Sequence, residues 1–196
     1  MIYVLAIIVL LFVFWALLMY VRKSQWDTIH RNLLDLEDHF EGKVIRRGFA
    51  TRPFFHGRVE GHPFTLNISS ERINNERINY VDISWDLPVK ETFTIADFNW
   101  LKKRRDKTAE DLKLIKSQQG KEFALMHRNK NRLEQLVKSP VVQQFVSQFE
   151  NLCYVFLGKT GLICEFSSEN LASATEFKSL NPKLELLKML GKEFGK

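Results

Sequence analysis

Residues Ile2 to Val21 read IYVLAIIVLLFVFWALLMYV, without a charge, a glycine or a proline. As a helix, 20 such residues extend about 30 Å at ~1.5 Å per residue, the hydrocarbon thickness of a bilayer. No lysine or arginine precedes the run and no A-x-A pattern follows it, and it is longer than the roughly 7–15 apolar residues of a cleaved secretory signal. The pattern predicts a transmembrane helix over residues 1–21. Tyr3 at one end, and Tyr20 and Trp26 at the other, suit the interfacial aromatic belts, while Trp15 lies deeper.

Charge sets the expected orientation. Arg22 and Lys23 follow the run at once, and on its other side the positive group is the α-amino group of Met1. Lys and Arg beside a span stay preferentially on the cytoplasmic side. The expectation is therefore an N-terminus outside and residues 22–196 in the cytoplasm, at the inner membrane if the cell is bacterial. Asn67-Ile68-Ser69 has the form of a glycosylation sequon, usable only in a eukaryotic lumen, and reads as a chance tripeptide on a strand.

The remaining residues, about 175, suffice for one domain with its own core. They carry the whole side-chain charge, a net +6, and are crossed by no Gly/Ser-rich or Pro-rich linker and no repeat. Sixteen phenylalanines argue for a packed core. Residues 22–42 read as a juxtamembrane amphipathic helix: Trp26, Ile29, Leu33, Leu36 and Phe40 recur at steps of three and four, acids fill the other face, and Gly42 offers a stop. This helix can continue directly from the span.

Residues 43–196 are expected to form a cytoplasmic α+β domain. Lys43 to Ala50, Phe54 to Val59, Phe64 to Ser69, Ile78 to Trp85 and Glu91 to Ala96 read as strands, with a hairpin at Glu60-Gly61-His62-Pro63. Together they imply an antiparallel sheet of four or five strands. Asp97 to Lys113 is either a helix or a charged loop with a helical end. Glu122 to Met126 is a short strand, and Asn131 to Lys138 and Pro140 to Phe149 are helices, the second capped by Ser139 with Pro140 at its first position. Leu152 to Phe156 and Leu162 to Phe166 form a second hairpin around Gly158-Lys159-Thr160-Gly161. Asn181 and Pro182 look like the start of a last helix. The class is α+β: a single N-terminal transmembrane helix, then one domain with an antiparallel sheet and packed helices on one face.

Chemistry is sparse. If Gly158 pairs with Gly161, Cys153 faces Phe166 and Cys164 faces Val155. The two cysteines are then diagonal, farther apart than a disulfide wants, and read as small buried residues. His30, His39, His56, His62 and His127 offer two pairs, His56 with His62 and Asp35 with His39, but no set of three or four ligands at metal spacing. No G-x-S-x-G, P-loop or H-E-x-x-H motif is present; Gly158-Lys159-Thr160 precedes a strand where a P-loop needs a helix. No catalytic residue, metal or cofactor is assigned.

Basic residues are the clearer signal. Lys43, Arg46, Arg47, Arg52 and Arg58 fall in one stretch without an acid, and Lys102-Lys103-Arg104-Arg105 follow Trp100. With Arg22 and Lys23, the residues Arg46, Arg47, Trp100, Lys102, Lys103, Arg104 and Arg105 are the candidate lipid- or partner-binding set, each basic group contributing about 1 kcal/mol beside an anionic leaflet. Trp100 is expected to insert at the headgroup level. Nucleic acid is not favoured, because the clusters lack a recognisable module. The expected function is a non-enzymatic membrane-anchored adaptor or scaffold that binds a partner protein or the anionic membrane surface. Two alternatives stand beside it: a tethered enzyme whose site is assembled from His56, His62, Asp82 and His127, and an accessory subunit of a membrane complex.

Overall fold

One helix, α1 (Ile2–His39), runs unbroken from the apolar stretch into the folded domain. It contains no glycine or proline to interrupt it, and Lys23 pairs with Asp27 one turn on, at 2.9 Å, across the change in character. The structure, a computed structural model, describes residues 2–49, 51–73, 75–87, 89–104 and 112–195. On α1 the large apolar side chains from Ile2 to Val21 are exposed, apart from the half-buried Met19. Farther along, Trp26, Ile29, Leu33 and Leu36, at steps of three, four and three, are buried.

The helix ends at His39, and Gly42 does not stop it. Gly42 sits inside strand β1 (Glu41–Ile45), directly opposite Gly57 of β2 (Phe54–Val59). A Cβ on Gly57 would lie 2.1 Å from the Glu41 carbonyl oxygen, so the close approach of the two strands requires glycine here. β1 is accordingly shorter than the strand expected over Lys43 to Ala50. The next turn is tighter than expected: Glu60 and Gly61 alone make it, both at positive φ (51° and 79°), and His62 and Pro63 already belong to β3 (His62–Ile73).

β4 (Glu76–Trp85), β5 (Phe93–Asp97), β6 (Leu112–Lys116), β7 (Glu122–Met126), β8 (Leu152–Gly158) and β9 (Gly161–Ser168) complete one sheet in the order β1-β2-β3-β4-β9-β8-β5-β7-β6. Each recorded pairing is antiparallel. The four or five strands expected from the first half become nine, because β9 pairs with β4 and so joins the two halves of the chain into one sheet.

The helices α3 (Lys130–Lys138), α4 (Pro140–Gln148) and α6 (Phe177–Glu193) share one hydrophobic core with the second half of α1. Ser139 ends α3 through its N–H and caps α4 through its hydroxyl, with Pro140 following. The short helix α5 (Leu171–Ala174) is tied to α1: Asn32 donates to the Ala172 carbonyl (2.6 Å) and to the Thr175 hydroxyl (3.2 Å), which is fully buried. α6 opens at Phe177, not at Asn181 and Pro182. Leu180 is already buried in the core there, so packing sets the start of the helix and Pro182 is carried inside it.

The remaining helix, α2 (Phe98–Arg104), lies across the other face of the sheet, against β5 and β7. Helices therefore cover both faces, one of them at a single corner. The fold is α+β, with a long apolar N-terminal helix leading into an antiparallel sheet and its packed helices.

Candidate functional site

Strand alternation and helix direction place the basic residues relative to the apolar half of α1. On the face that α1 covers, β3 presents Phe64, Leu66 and Ile68, all buried. Phe40, just beyond α1, lies 6.4 Å from the Phe64 ring, and Trp26 is level with Arg52, which bonds to Ile68 and Ser70. The helix thus leaves the domain at the Ser70 end of β3, and the bare apolar half continues from that end.

Four of the expected site residues gather there. Arg22 and Arg47 are exposed. Lys23 and Arg46 converge on Asp27, at 2.9 and 2.5 Å, and hydrogen bonds from them hold the Asp27 carboxyl below the usual carboxylate range. Arg46 is only 14% exposed and also donates to the Gly48 (3.2 Å) and Phe49 carbonyls, so it fastens the loop after β1 to α1. Lys23 and Arg46 are occupied within the fold.

The α2 residues lie on the opposite face. Trp100 does not project freely, as insertion at the headgroup level would need. Its ring lies 5.3 Å from Tyr154 and is covered by the Arg104 guanidinium at 4.4 Å, with Nε1 buried and unpartnered. Arg104 pairs with Glu71 and lies 3.4 Å from the Tyr80 hydroxyl. Lys102 sits over the Phe98 ring at 4.1 Å, and Lys103 is exposed. Arg105 lies outside the described residues. The eight expected residues that are described therefore form two groups on two faces, both toward the end from which α1 emerges, since Arg104 reaches Glu71 beyond Ser70.

Beneath α2 is a cleft of about 420 Å³ walled by Trp100, Leu101, Met126, Tyr154 and Phe156. On the same face Asp82 of β4 stands opposite Glu165 of β9. Burial, then the charge of Asp82, pushes the Glu165 carboxyl up to about 7, against the pull of Arg104; its Oε1 is buried without a partner. The sequence singled out Asp82 but not Glu165, because 83 positions separate them and only the β4–β9 register joins them.

The other candidate groups stay apart. His56 meets Thr65 at 3.2 Å, and the two residues are paired across β2 and β3; His62 pairs with Val59, so the two histidines do not face each other. His127 bonds to Asn129, beyond β7 at the far side of the sheet from β2. These residues do not converge with Asp82. Among the described residues no group of three or more His, Cys, Asp or Glu side chains is placed to hold a metal ion.

The register of the second hairpin is as expected at Val155 opposite Cys164, but a bulge between Leu152 and Tyr154 puts Leu152, not Cys153, opposite Phe166. Both thiols are free and buried. Burial pushes Cys153 up to about 12 and Cys164 well above its ordinary value, so neither is a thiolate near neutral pH.

Comparison with known proteins adds a likeness of fold. No protein-family model matches the chain, and no curated protein does. A solved structure, the crystal structure of the mycobacterial trehalose monomycolate transport factor A, TtfA, superposes with a TM-score of 0.52 over 84% of this chain and 93% of that one, at 8% identity. At that identity the likeness is one of architecture.

Proposed function

We propose that this chain is a single-pass, non-enzymatic accessory protein of a membrane transport system. Its N-terminus lies outside, and its α+β domain is held at the cytoplasmic surface to engage a protein partner in the same membrane. One observation carries the reading: the second half of α1 belongs to the hydrophobic core of the domain. A domain built around the continuation of its own membrane helix stands at a fixed height and angle to the bilayer, without a linker. That geometry suits docking to a neighbour in the membrane better than reaching for a soluble substrate.

Two further observations support it. Basic groups on α1, in the loop after β1 and on α2 lie toward the end from which the helix emerges, which favours the cytoplasmic leaflet for that end. A transport factor, TtfA, has a comparable architecture. The test has two parts. A reporter active only in the cytoplasm, fused after Lys196, is expected to be active. The full-length protein, extracted in mild detergent, is expected to carry an integral membrane protein in stoichiometric amount. A silent reporter overturns the orientation. A chain that purifies alone while turning over a substrate overturns the accessory role.

A further inference from the structure

Two neighbouring strands change character at the same level. Along the face covered by α1, β3 reads Phe64, Leu66, Ile68 and then Ser70, Arg72; β4 reads Trp85, Ile83, Val81 and then Asn79, Arg77. The first three of each are buried, while Arg72 and Arg77 are exposed. Core gives way to arginine within two alternating positions, at the height where α1 passes from its buried to its bare half.

Arg52 brings a third guanidinium to this place. It lies over the Trp26 ring at 5.9 Å and donates from Nη1 to the Ile68 carbonyl (3.3 Å) and from Nη2 to the Ser70 hydroxyl oxygen (2.5 Å). Arg77 donates from Nη2 to the same oxygen at 3.3 Å. Arg22 comes one turn of α1 before Trp26, about 6 Å along the axis. After burial, the charges of Arg77 and then Arg22 pull the Arg52 pKa down, and Asp82 opposes them more weakly.

Like charges directly opposite in a ladder are destabilising, and Arg72 is opposite Arg77. Among the described residues none of these four arginines makes an ion pair with a carboxylate; Glu76, beside Arg77 in the chain, makes none either. Lys23, Arg46 and Arg104, by contrast, are each paired. Each guanidinium has five N–H donors, of which Ile68 and Ser70 take two from Arg52 and Ser70 one from Arg77, so most remain to be satisfied. Guanidinium forks match phosphate oxygens in pairs.

We propose that Arg22, Arg52, Arg72 and Arg77 form a binding site for the phosphodiester headgroup of an anionic phospholipid, held against α1 where the helix leaves the domain. The site rests on the membrane-anchored reading above and gives it a lipid specificity. The bare apolar helix beside the arginines supplies the surface for the acyl chains, which favours a lipid over a soluble anion.

The test uses the full-length protein in detergent, with bound lipid counted by native mass spectrometry as phosphatidylglycerol or phosphatidylcholine is added. The wild type is expected to retain phosphatidylglycerol in preference to phosphatidylcholine. Arg52→Gln with Arg77→Gln is expected to lower that retention about 10- to 30-fold, as the loss of two basic contacts implies. Arg22→Gln with Arg72→Gln alters exposed side chains only and is expected to weaken retention by a similar factor with a Tm no lower than that of the wild type, since it also relieves the Arg72–Arg77 repulsion; this keeps the test valid if the first pair misfolds. Full retention in both pairs overturns the proposal. So does displacement of the lipid by millimolar inorganic phosphate or by an acidic peptide, which would make the site one for a soluble anion or a protein. All variants are expected to stay in the carbonate-washed membrane pellet; their release would overturn the anchored reading instead.

Discussion

The two faces of the sheet solve different problems. One is sealed by α1, α3, α4 and α6 over a single apolar core. The other carries α2 at one corner and a mixture of polar and apolar side chains, among them the carboxyls of Asp82 and Glu165 and the exposed Ile163. The first face makes the domain and the long apolar helix one body, so its side chains set stability. The second face contributes less apolar burial and holds Glu165, whose carboxyl is pushed up to about 7. The difference assigns mechanical work to one face and leaves chemical variability to the other.

The strongest way to break this comparison is at Leu33, fully buried at the centre of the second half of α1. Leu33→Ala is expected to cost about 3 kcal/mol through lost burial and the cavity left behind, measured by chemical denaturation of the full-length protein in detergent. The equivalent change at Leu10, exposed on the bare half, is expected to leave that midpoint unmoved. If the two substitutions cost the same, the halves of α1 do not have separate roles. On the second face, Trp100→Ala is expected to cost about 2 kcal/mol, less than the loss of a fully buried tryptophan, because the ring is stacked on one side by Tyr154 and covered by Arg104 on another. Asn32→Ala removes the donor to the Ala172 carbonyl but leaves the Thr175 hydroxyl its own bond to Leu171, so about 1 kcal/mol is expected. A cost near zero would mean that packing alone, without this bond, fixes α1 to α5.

The comparison also explains what could be read from the chain. Features fixed by a few adjacent residues were legible: the apolar span, the i, i+3, i+4 stripe from Trp26 to Leu36, the Ser139-Pro140 cap and the strand Glu122–Met126. Features set by partners distant in sequence were not. Gly42 has the form of a helix stop, and only its approach to Gly57 makes it a strand residue. Asn181-Pro182 has the form of a helix start, and only the burial of Leu180 moves the start upstream. The basic stretches chosen from the sequence were dense, but density does not reveal pairing: Lys23, Arg46 and Arg104 have acidic partners, whereas Arg72 and Arg77, which the sequence did not single out, have none. Extending the alternation of β3 past Ser69, and of β4 back before Ile78, would have exposed the change from core to arginine on one face.

Glu165 gives the smallest effect and the sharpest separation of the faces, because its sign is fixed. Its carboxyl is pushed up to about 7 in the folded protein, from an ordinary value of 4.5. Below pH 4.5 it is protonated in both folded and unfolded chains and contributes no pH dependence. Between pH 4.5 and 7 the folded chain keeps a proton that the unfolded chain releases, so stability falls as pH rises. Above 7 the group is ionised in both states and the loss is complete, on the order of 1 kcal/mol once screening by solvent is allowed for. Glu165→Gln has no proton to lose. Relative to the wild type it is therefore expected to gain stability progressively from pH 5 to pH 8, read as a growing difference between denaturation midpoints. The same pH series on Leu33→Ala is expected to run parallel to the wild type, since no titrating group is altered. If the Glu165→Gln difference is flat with pH, the carboxyl is solvated and ordinary, and the burial argument for it fails.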